Sequence, residues 1–242
     1  MKKMLKDLLD AMGFAWGELF DLPLQNIFRN SSSGNGETSF TLAAFPLLGF
    51  LVGALVALIS SLVTVIFNPH AGGVLFALLS WAVLCFKDSG RGDAWFGNYA
   101  VSKLQHEGNR EFIRNIMNIF PVLLKFAILL FIGLAGGTFY LAILLSGAFA
   151  LQAALVSSDD CQIRFIPVNE RSIMIFRAAL VLIGVVGFIF CRLGTIGVIA
   201  AVCVLFIIYN RKFAEDGFSA ENISRAGYIA EWTLLGIGLF LL

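Results

Sequence analysis

The chain has 242 residues, of which 59% are hydrophobic and only 14% are charged, and its formal net charge is +1. Soluble domains carry about 25% charged residues, so this chain has too little polar surface to cover a water-soluble core. The composition excludes an ordinary soluble protein, and the near-zero net charge gives no reason to expect a nucleic-acid partner.

The first element in chain order is an amphipathic helix near the N-terminus. Its apolar residues recur at the spacing of one helical face: Leu5, Leu8, Leu9, Met12 and Trp16. Such a helix can lie along a membrane surface or pack on a helical bundle, and the pattern does not distinguish the two.

Apolar stretches that could cross a bilayer, which takes about 20 residues each, occupy most of the remaining chain. We predict seven spans, at residues 42–67, 71–86, 118–136, 137–156, 172–191, 193–209 and 228–242. The expected fold class is therefore all-α, a polytopic transmembrane helix bundle that forms a single integral membrane domain over residues 1–242. The glycine-rich stretch at 133–137 is typical of a tight turn or a close helix contact.

The polar connectors between these spans alternate in charge. Basic residues lie in the N-terminal tail and in the connectors at 87–115, 157–171 and 210–225, whereas the other connectors hold only Arg192. Because cytoplasmic loops carry the excess of lysine and arginine, we expect the N-terminus and the charged connectors on the cytoplasmic side.

Acidic residues from separate connectors would then meet at one membrane face. Asp88 and Asp93 stand out because they lie in KDSGRGDAWFG, where glycines allow close backbone approach to a ligand. Carboxylate oxygens at such a face suit Mg²⁺ that is also bound to phosphates, and Arg91 and Lys103 are placed to hold phosphate oxygens. The alternative is that these residues are charged only because the connectors face water.

Three charged residues fall inside predicted spans, where an isolated charge costs roughly 3 kcal/mol. Lys125 either faces the bundle interior or snorkels to the interface, and Arg177 is shallower and expected to snorkel. Glu231 faces the same choice, and a short helical run could bring it beneath Glu221 and Asp216.

Several stretches match, in chain order, the motifs of a known membrane family. The clearest is AAFPLLGFLVGALVALI at 43–59, which fits F-P-L-x-G-x-x-x-G-A at Phe45, Pro46, Leu47, Gly49, Gly53 and Ala54. The N-terminal helix leads to a Leu-Pro element at Leu22 and Pro23. These stretches resemble the membrane-bound cobalamin synthases, the adenosylcobinamide-GDP ribazoletransferases.

Two further stretches resemble this family but depart from its pattern. The C-terminal stretch resembles G-x-T-G-D-x-L-G-A-x-x-E-x-x-E, with Gly217 at the first glycine and Glu231 at the second glutamate. Ser219 stands at the threonine, Glu221 stands at the aspartate, and Tyr228 replaces the first glutamate. The family has two motifs, H-L-D-G-L-A-D-T-x-D-G and K-D-S-R-x-G-x-x-G, where this chain has one stretch. That stretch fits the second motif at Lys87, Asp88, Ser89, Arg91 and Gly97, whereas by position Asp88 and Asp93 stand for the first two aspartates of the first motif and Phe96 stands for the third.

The resemblance implies a Mg²⁺-dependent phosphoryl transfer. In this reaction the hydroxyl of α-ribazole, or of its phosphate, attacks the pyrophosphate of adenosylcobinamide-GDP and GMP is released. The resemblance implies that Asp88 and Asp93 are catalytic metal ligands and that Glu221 is an auxiliary catalytic carboxylate. It also implies a set of substrate-binding residues: Ser89, Arg91, Lys103 and Glu231.

The resemblance further implies a location in the bacterial plasma (inner) membrane. The expected partners are the lipid bilayer and small nucleotide and corrinoid substrates, with no nucleic acid, and a homo-oligomer is left open. The alternatives are a phosphotransferase with another acceptor, a non-catalytic membrane paralogue, and a transport component.

Overall fold

A computed structural model describes residues 2–19, 39–87, 110–157, 169–216 and 220–241, and seven helices make up nearly all of this part of the chain. The helices are α1 (Lys2–Leu19), α2 (Thr41–Ile66), α3 (Pro69–Phe86), α4 (Arg110–Leu134), α5 (Tyr140–Val156), α6 (Glu170–Asp216) and α7 (Ala220–Leu241). The expected all-α class is confirmed for the described residues, and each predicted apolar stretch coincides with helix.

Helix α6 is two helices rather than one. Cys191 and Arg192 have non-helical backbone angles, with Arg192 at φ 8° and ψ −91°. A Cβ on Gly184 would lie 3.8 Å from Cδ1 of Ile199, whereas a straight helix would separate these two residues by about 22 Å. The chain therefore reverses at 191–192, and the arms 170–190 and 193–216 lie side by side, as the separate stretches 172–191 and 193–209 predict.

Helix α5 is the centre of the bundle. All of its residues except Ala154 and Val156 are buried, as expected for a helix that is apolar all round. It contacts α2, α6 and α7. Its polar residues Ser146 and Gln152 are also buried.

Glycines set the closest helix contacts. A Cβ on Gly53 of α2 would lie 2.5 Å from the backbone nitrogen of Ala142 in α5, and a Cβ on Gly73 of α3 would lie 2.9 Å from the carbonyl of Gly133 in α4. Gly136, just beyond α4, has a φ of 83°, a left-handed conformation that favours glycine. The stretch at 133–137 therefore provides both of the features that were expected of it, a close helix contact and a tight turn.

The ends of the helices group at two ends of the bundle. From α2 onward, helices that follow one another along the chain run antiparallel: Gly49 lies against Leu145 while Gly53 lies against Ala142, and the beginning of α3 lies against the end of α4. Residues 41, 86, 110, 156, 170, 216 and 220 consequently share one end, which we call the connector end. The linkers at 67–68, 135–139 and 191–192 lie at the opposite end, the linker end.

The outer surface of the bundle is apolar. Large apolar side chains are exposed along α2, α4 and both arms of α6, including Leu51, Leu55, Leu58, Leu62, Leu123, Phe131, Val181, Phe188, Ile189, Ile196 and Ile207. Three described helices are long and apolar enough to cross a membrane, namely Thr41–Ile66, Pro69–Phe86 and Glu170–Glu215. Contiguous apolar surface of this extent indicates a membrane-associated helical protein.

Helix α1 packs on the bundle through its second half. Ala11, Ala15 and Leu19 are buried, and α1 contacts α2. In the first half, Leu5 and Leu9 are exposed. The packed alternative therefore holds for the second half of α1, whereas Leu5 and Leu9 of the first half face outward.

Candidate functional site

Most residues of the predicted site lie outside the part of the chain that the structure describes. Asp88, Ser89, Arg91, Asp93 and Lys103 belong to the segment 88–109, and Glu221 belongs to the first turn of α7 but its side chain is not described. These assignments stay predictions. The described helix ends that adjoin them, Phe86 of α3 and Ala220 of α7, both lie at the connector end.

A cluster of three charged side chains lies inside the bundle, and we call it the charged cluster. It consists of Lys87, Lys125 and Glu231. The Nζ atom of Lys87 lies 2.9 Å from Oε2 of Glu231, and the Nζ atom of Lys125 lies 2.7 Å from Oε1 of the same carboxylate. The three side chains are only 1% to 4% exposed. Each oxygen of the carboxylate therefore faces one ammonium group.

The helix packing explains why each residue of the charged cluster points inward. Lys87 directly follows α3, and its backbone N–H donates to the carbonyl of Val83 at 3.0 Å. Its backbone is extended, which ends the helix at this residue. Lys125 shares the buried face of α4 with Pro121 and Leu129, each four residues away. Glu231 lies on the buried face of α7, three residues before Leu234.

Aromatic rings surround the two ammonium groups. The Nζ atom of Lys125 lies 4.8 Å from the ring centroid of Tyr228 and 5.5 Å from that of Trp232, and Nζ of Lys87 lies 5.4 Å from the ring of Phe149. Cations are attracted to ring faces at these distances, more strongly when water is excluded. The rings and the carboxylate together compensate the burial of two cations.

The position of Lys125 decides between the two alternatives for this residue. Lys125 lies nine residues before the end of α4, and this places it about 14 Å from the linker end. Only 3% of the residue is exposed. Lys125 therefore faces the bundle interior and does not snorkel. Arg177, by contrast, is exposed on the first arm of α6.

A buried amide lies next to the charged cluster on its connector-end side. Gln152 of α5 is 7% exposed, and its side chain lies against Gly227 of α7, where a Cβ would approach Cδ of Gln152 to 2.7 Å. Gly227 precedes Glu231 by one helical turn. The polar interior of the bundle therefore extends from Glu231 toward the connector end.

The charged cluster does not fit a divalent metal ion. Mg²⁺ needs oxygen ligands at about 2.0–2.1 Å and keeps several waters, but both oxygens of Glu231 face ammonium groups in a nearly inaccessible site. Within the described ranges, no group of three histidine, cysteine, aspartate or glutamate side chains is arranged to hold a metal. The expected Mg²⁺ site rests on Asp88 and Asp93.

Sequence reasoning missed the pairing of Lys87 with Glu231. Charged residues in or beside apolar stretches were the available signal, and it singled out Lys125 and Glu231. The two partners in the Lys87–Glu231 contact are 144 positions apart, however, and the sequence indicated only that Glu231 could lie beneath Glu221 and Asp216, without identifying a lysine partner. Such a contact depends on which helices pack together, and a local sequence pattern does not predict this.

Comparison of this chain with known protein families, curated protein sequences and solved structures finds no match. The functional proposal therefore rests on the residues of this chain and on the resemblance of its motifs.

Proposed function

We propose that the chain is an integral membrane phosphotransferase of the cobalamin synthase type. It joins adenosylcobinamide-GDP to α-ribazole, or to the phosphate of α-ribazole, and releases GMP. The reaction takes place at the connector end of the bundle, where the segment that carries Asp88 follows α3 and where Glu221 lies in the first turn of α7.

The observation that carries this proposal is the contact between Lys87 and Glu231. Lys87 opens the stretch that resembles the family's K-D-S-R motif, and Glu231 ends the stretch that resembles its C-terminal E-x-x-E motif. The two side chains meet at 2.9 Å. Two motifs that form one active site have to lie close together in the folded chain. The contact between Lys87 and Glu231 supports the assignment of the two stretches to one site.

In the proposed reaction the residues of segment 88–109 bind the pyrophosphate. Asp88 and Asp93 would hold Mg²⁺, which when bound neutralises charge on the phosphate groups. Arg91, Lys103 and Ser89 bind phosphate oxygens through charge-assisted and hydroxyl hydrogen bonds, and Glu221 is an auxiliary carboxylate. The hydroxyl oxygen of the acceptor forms the new bond to the phosphorus that is attached to adenosylcobinamide and gives up its proton to water. The bond from that phosphorus to the bridging oxygen breaks, and GMP leaves with that oxygen.

The proposal includes seven membrane crossings, with the connector end on the cytoplasmic side of a bacterial inner membrane. Apolar helices at every predicted span and the hairpin at 191–192 support this number. The concentration of lysine and arginine at the N-terminus and in the connectors at 87–115, 157–171 and 210–225 supports the orientation.

The test is GMP release by the purified, detergent-solubilised chain supplied with adenosylcobinamide-GDP, Mg²⁺ and either α-ribazole or its phosphate. Chromatography should show one GMP for each adenosylcobalamin or adenosylcobalamin phosphate formed, and EDTA, Asp88→Ala or Asp93→Ala should abolish both products. Glu170→Gln is the matched control, because Glu170 is an exposed carboxylate at the connector end that the proposal does not use. Folded wild-type protein that releases no GMP would refute the proposal.

One observation favours a second candidate, a non-catalytic membrane paralogue that keeps nucleotide binding. Tyr228 replaces a glutamate of the family pattern, and its ring contacts Lys125. This candidate predicts that the chain binds GDP-containing ligands without turnover, which equilibrium dialysis together with the GMP assay distinguishes from the enzyme.

A further inference from the structure

A cavity of about 480 Å³ lies at the linker end of the bundle, far from the charged cluster and the connector end. Its walls are α2, the linker at 135–139 and the hairpin at 190–191. Residues with little or no side chain leave this space open, among them Ala54, Ala57 and Gly136, and a Cβ on Gly136 would meet nothing within 4 Å. Cavities that bind small molecules have volumes of about 300–1,000 Å³.

The cavity extends from the outer apolar surface into the bundle. Leu58 and Phe190 line it and are exposed, whereas Ala57 and Cys191 line it and are buried. The ring of Phe139, which also lines the cavity, packs against that of Phe190 with 4.4 Å between the centroids. Because the exposed part of the lining belongs to the apolar surface of the bundle, a ligand enters this cavity from the bilayer.

The lining changes from apolar to polar toward the linker end. Ala54, Leu58 and Ser61 share one face of α2, and Ser61 lies about 10 Å nearer than Ala54 to the linker end. The hydroxyl of Thr138, in the linker itself, also belongs to the lining. A phospholipid has the same order of polarity along the bilayer normal, with its acyl chains deep and its ester and phosphate groups at the interface.

Arg192 supplies a positive charge beside the polar part of the cavity. It directly follows Cys191, which lines the cavity, and it is exposed at the chain reversal. The linkers at 67–68, 135–139 and 191–192 contain no acidic residue. Because a guanidinium group binds phosphate oxygens through charge-assisted hydrogen bonds, the charge of this region complements a phosphate group.

We propose that the cavity binds one acyl chain of a phospholipid and that Arg192 binds the phosphate of the same molecule. The hydroxyls of Ser61 and Thr138 donate hydrogen bonds to its ester oxygens. This lipid site rests on the proposed insertion of the bundle in a membrane, and it is independent of the proposed transfer reaction at the connector end.

The experiment titrates the delipidated full chain in detergent with phosphatidylglycerol, and native mass spectrometry counts the bound lipid molecules. One molecule per chain should bind more tightly than the others. The same lipid with a photoactivatable diazirine on an acyl chain should form crosslinks to residues 54–61 and 135–139, which peptide mapping identifies.

Two substitutions that reduce the cavity should remove this crosslink and the tight binding. Ala57→Phe fills the buried part of the cavity, and Ser61→Phe blocks it from an exposed position, so the second variant serves if the first does not fold. Leu62→Phe is the matched control, because Leu62 is an exposed neighbour of Ser61 that does not belong to the lining. The control should bind and crosslink the lipid as the wild type does.

The contact with the phosphate is tested separately. Arg192→Gln should lower the affinity for phosphatidylglycerol about tenfold, the effect of losing one hydrogen bond to a charged group. Arg177→Gln, which changes an exposed arginine elsewhere on α6, should have no such effect. Diacylglycerol with the same acyl chains but no phosphate should bind the wild type and Arg192→Gln equally.

Two results would overturn the proposal. If the crosslinks are spread over the exposed faces of the bundle and persist in both phenylalanine variants, the lipid is only part of the surrounding annulus. If Arg192→Gln keeps the affinity of the wild type for phosphatidylglycerol, or if the wild type binds diacylglycerol as tightly, Arg192 does not bind the phosphate. None of these measurements uses GMP release, so their failure is distinguishable from a failure of the proposed enzyme activity.

Discussion

Replacing Glu231 by glutamine should be among the most destabilising single changes in the bundle. Glutamine keeps the size of the side chain but removes the only negative charge of the charged cluster, where two ammonium groups lie 2.9 and 2.7 Å from the carboxylate. Removing one partner from a buried ion pair costs about 3–5 kcal/mol, because the remaining charge stays desolvated. With two cations left, we expect the upper part of that range.

A second substitution should partly reverse this loss. Adding Lys125→Met to Glu231→Gln removes one of the two cations, and methionine has nearly the length of lysine without its charge. The double variant should therefore be more stable than Glu231→Gln alone, although Lys125→Met alone destabilises the wild type. This opposite sign identifies charge imbalance as the cause, because a loss of packing would make the double variant worse.

The free energy of unfolding of each variant is measured by titrating folded protein in mild-detergent micelles with sodium dodecyl sulfate and following helix content and tryptophan fluorescence. Glu170→Gln is the control, since its exposed side chain predicts a change within about 0.5 kcal/mol. If Glu231→Gln unfolds with the free energy of the wild type, or if the double variant is less stable than Glu231→Gln, the reasoning is refuted.

Two further predictions concern packing and hydrogen bonding. Gly53→Ala should destabilise the bundle by about 1–3 kcal/mol, because its Cβ would overlap the backbone of Ala142. Gly236→Ala, where a Cβ meets nothing within 4 Å, should be neutral or stabilising by up to about 1 kcal/mol in the same unfolding titration, so equal effects would contradict this account. Tyr140→Phe should lose the hydrogen bond that its hydroxyl donates to the carbonyl of Leu234 at 2.6 Å, at a cost of about 1 kcal/mol. If the melting temperature of Tyr140→Phe in detergent equals that of the wild type, the result would argue against that hydrogen bond.

The positions of the helices could be predicted from the sequence because each one depends on a local property. An apolar stretch of sufficient length forms a helix wherever water is excluded, since the backbone then has to satisfy its own hydrogen bonds. Even the break between the stretches 172–191 and 193–209 was predicted, and Arg192 lies at the reversal. The predicted close contact or turn at 133–137 likewise rested on its glycines.

The candidate site could be predicted only in part. The apolar stretches singled out Lys125 and Glu231 as charges that need partners, because an isolated charge within a span is costly. The sequence did not identify their partners, because several charged residues were equally possible as the other member of each ion pair. The metal and phosphate contacts proposed for Asp88 and Asp93 stay predictions.

The sequence by itself determined an apolar helical chain and the part of the chain that each helix occupies, although α4 and α7 begin eight residues before the predicted stretches and α6 ends seven residues after its own. It also identified the charged residues that are costly to place within a span. Only the tertiary structure decided that α3, α4 and α7 meet, and hence that Lys87 and Lys125 share the carboxylate of Glu231. The physical reason is that hydrophobicity is a property of each segment alone, whereas the pairing of buried charges depends on which helix faces come together when glycines such as Gly73 and Gly133 allow close packing.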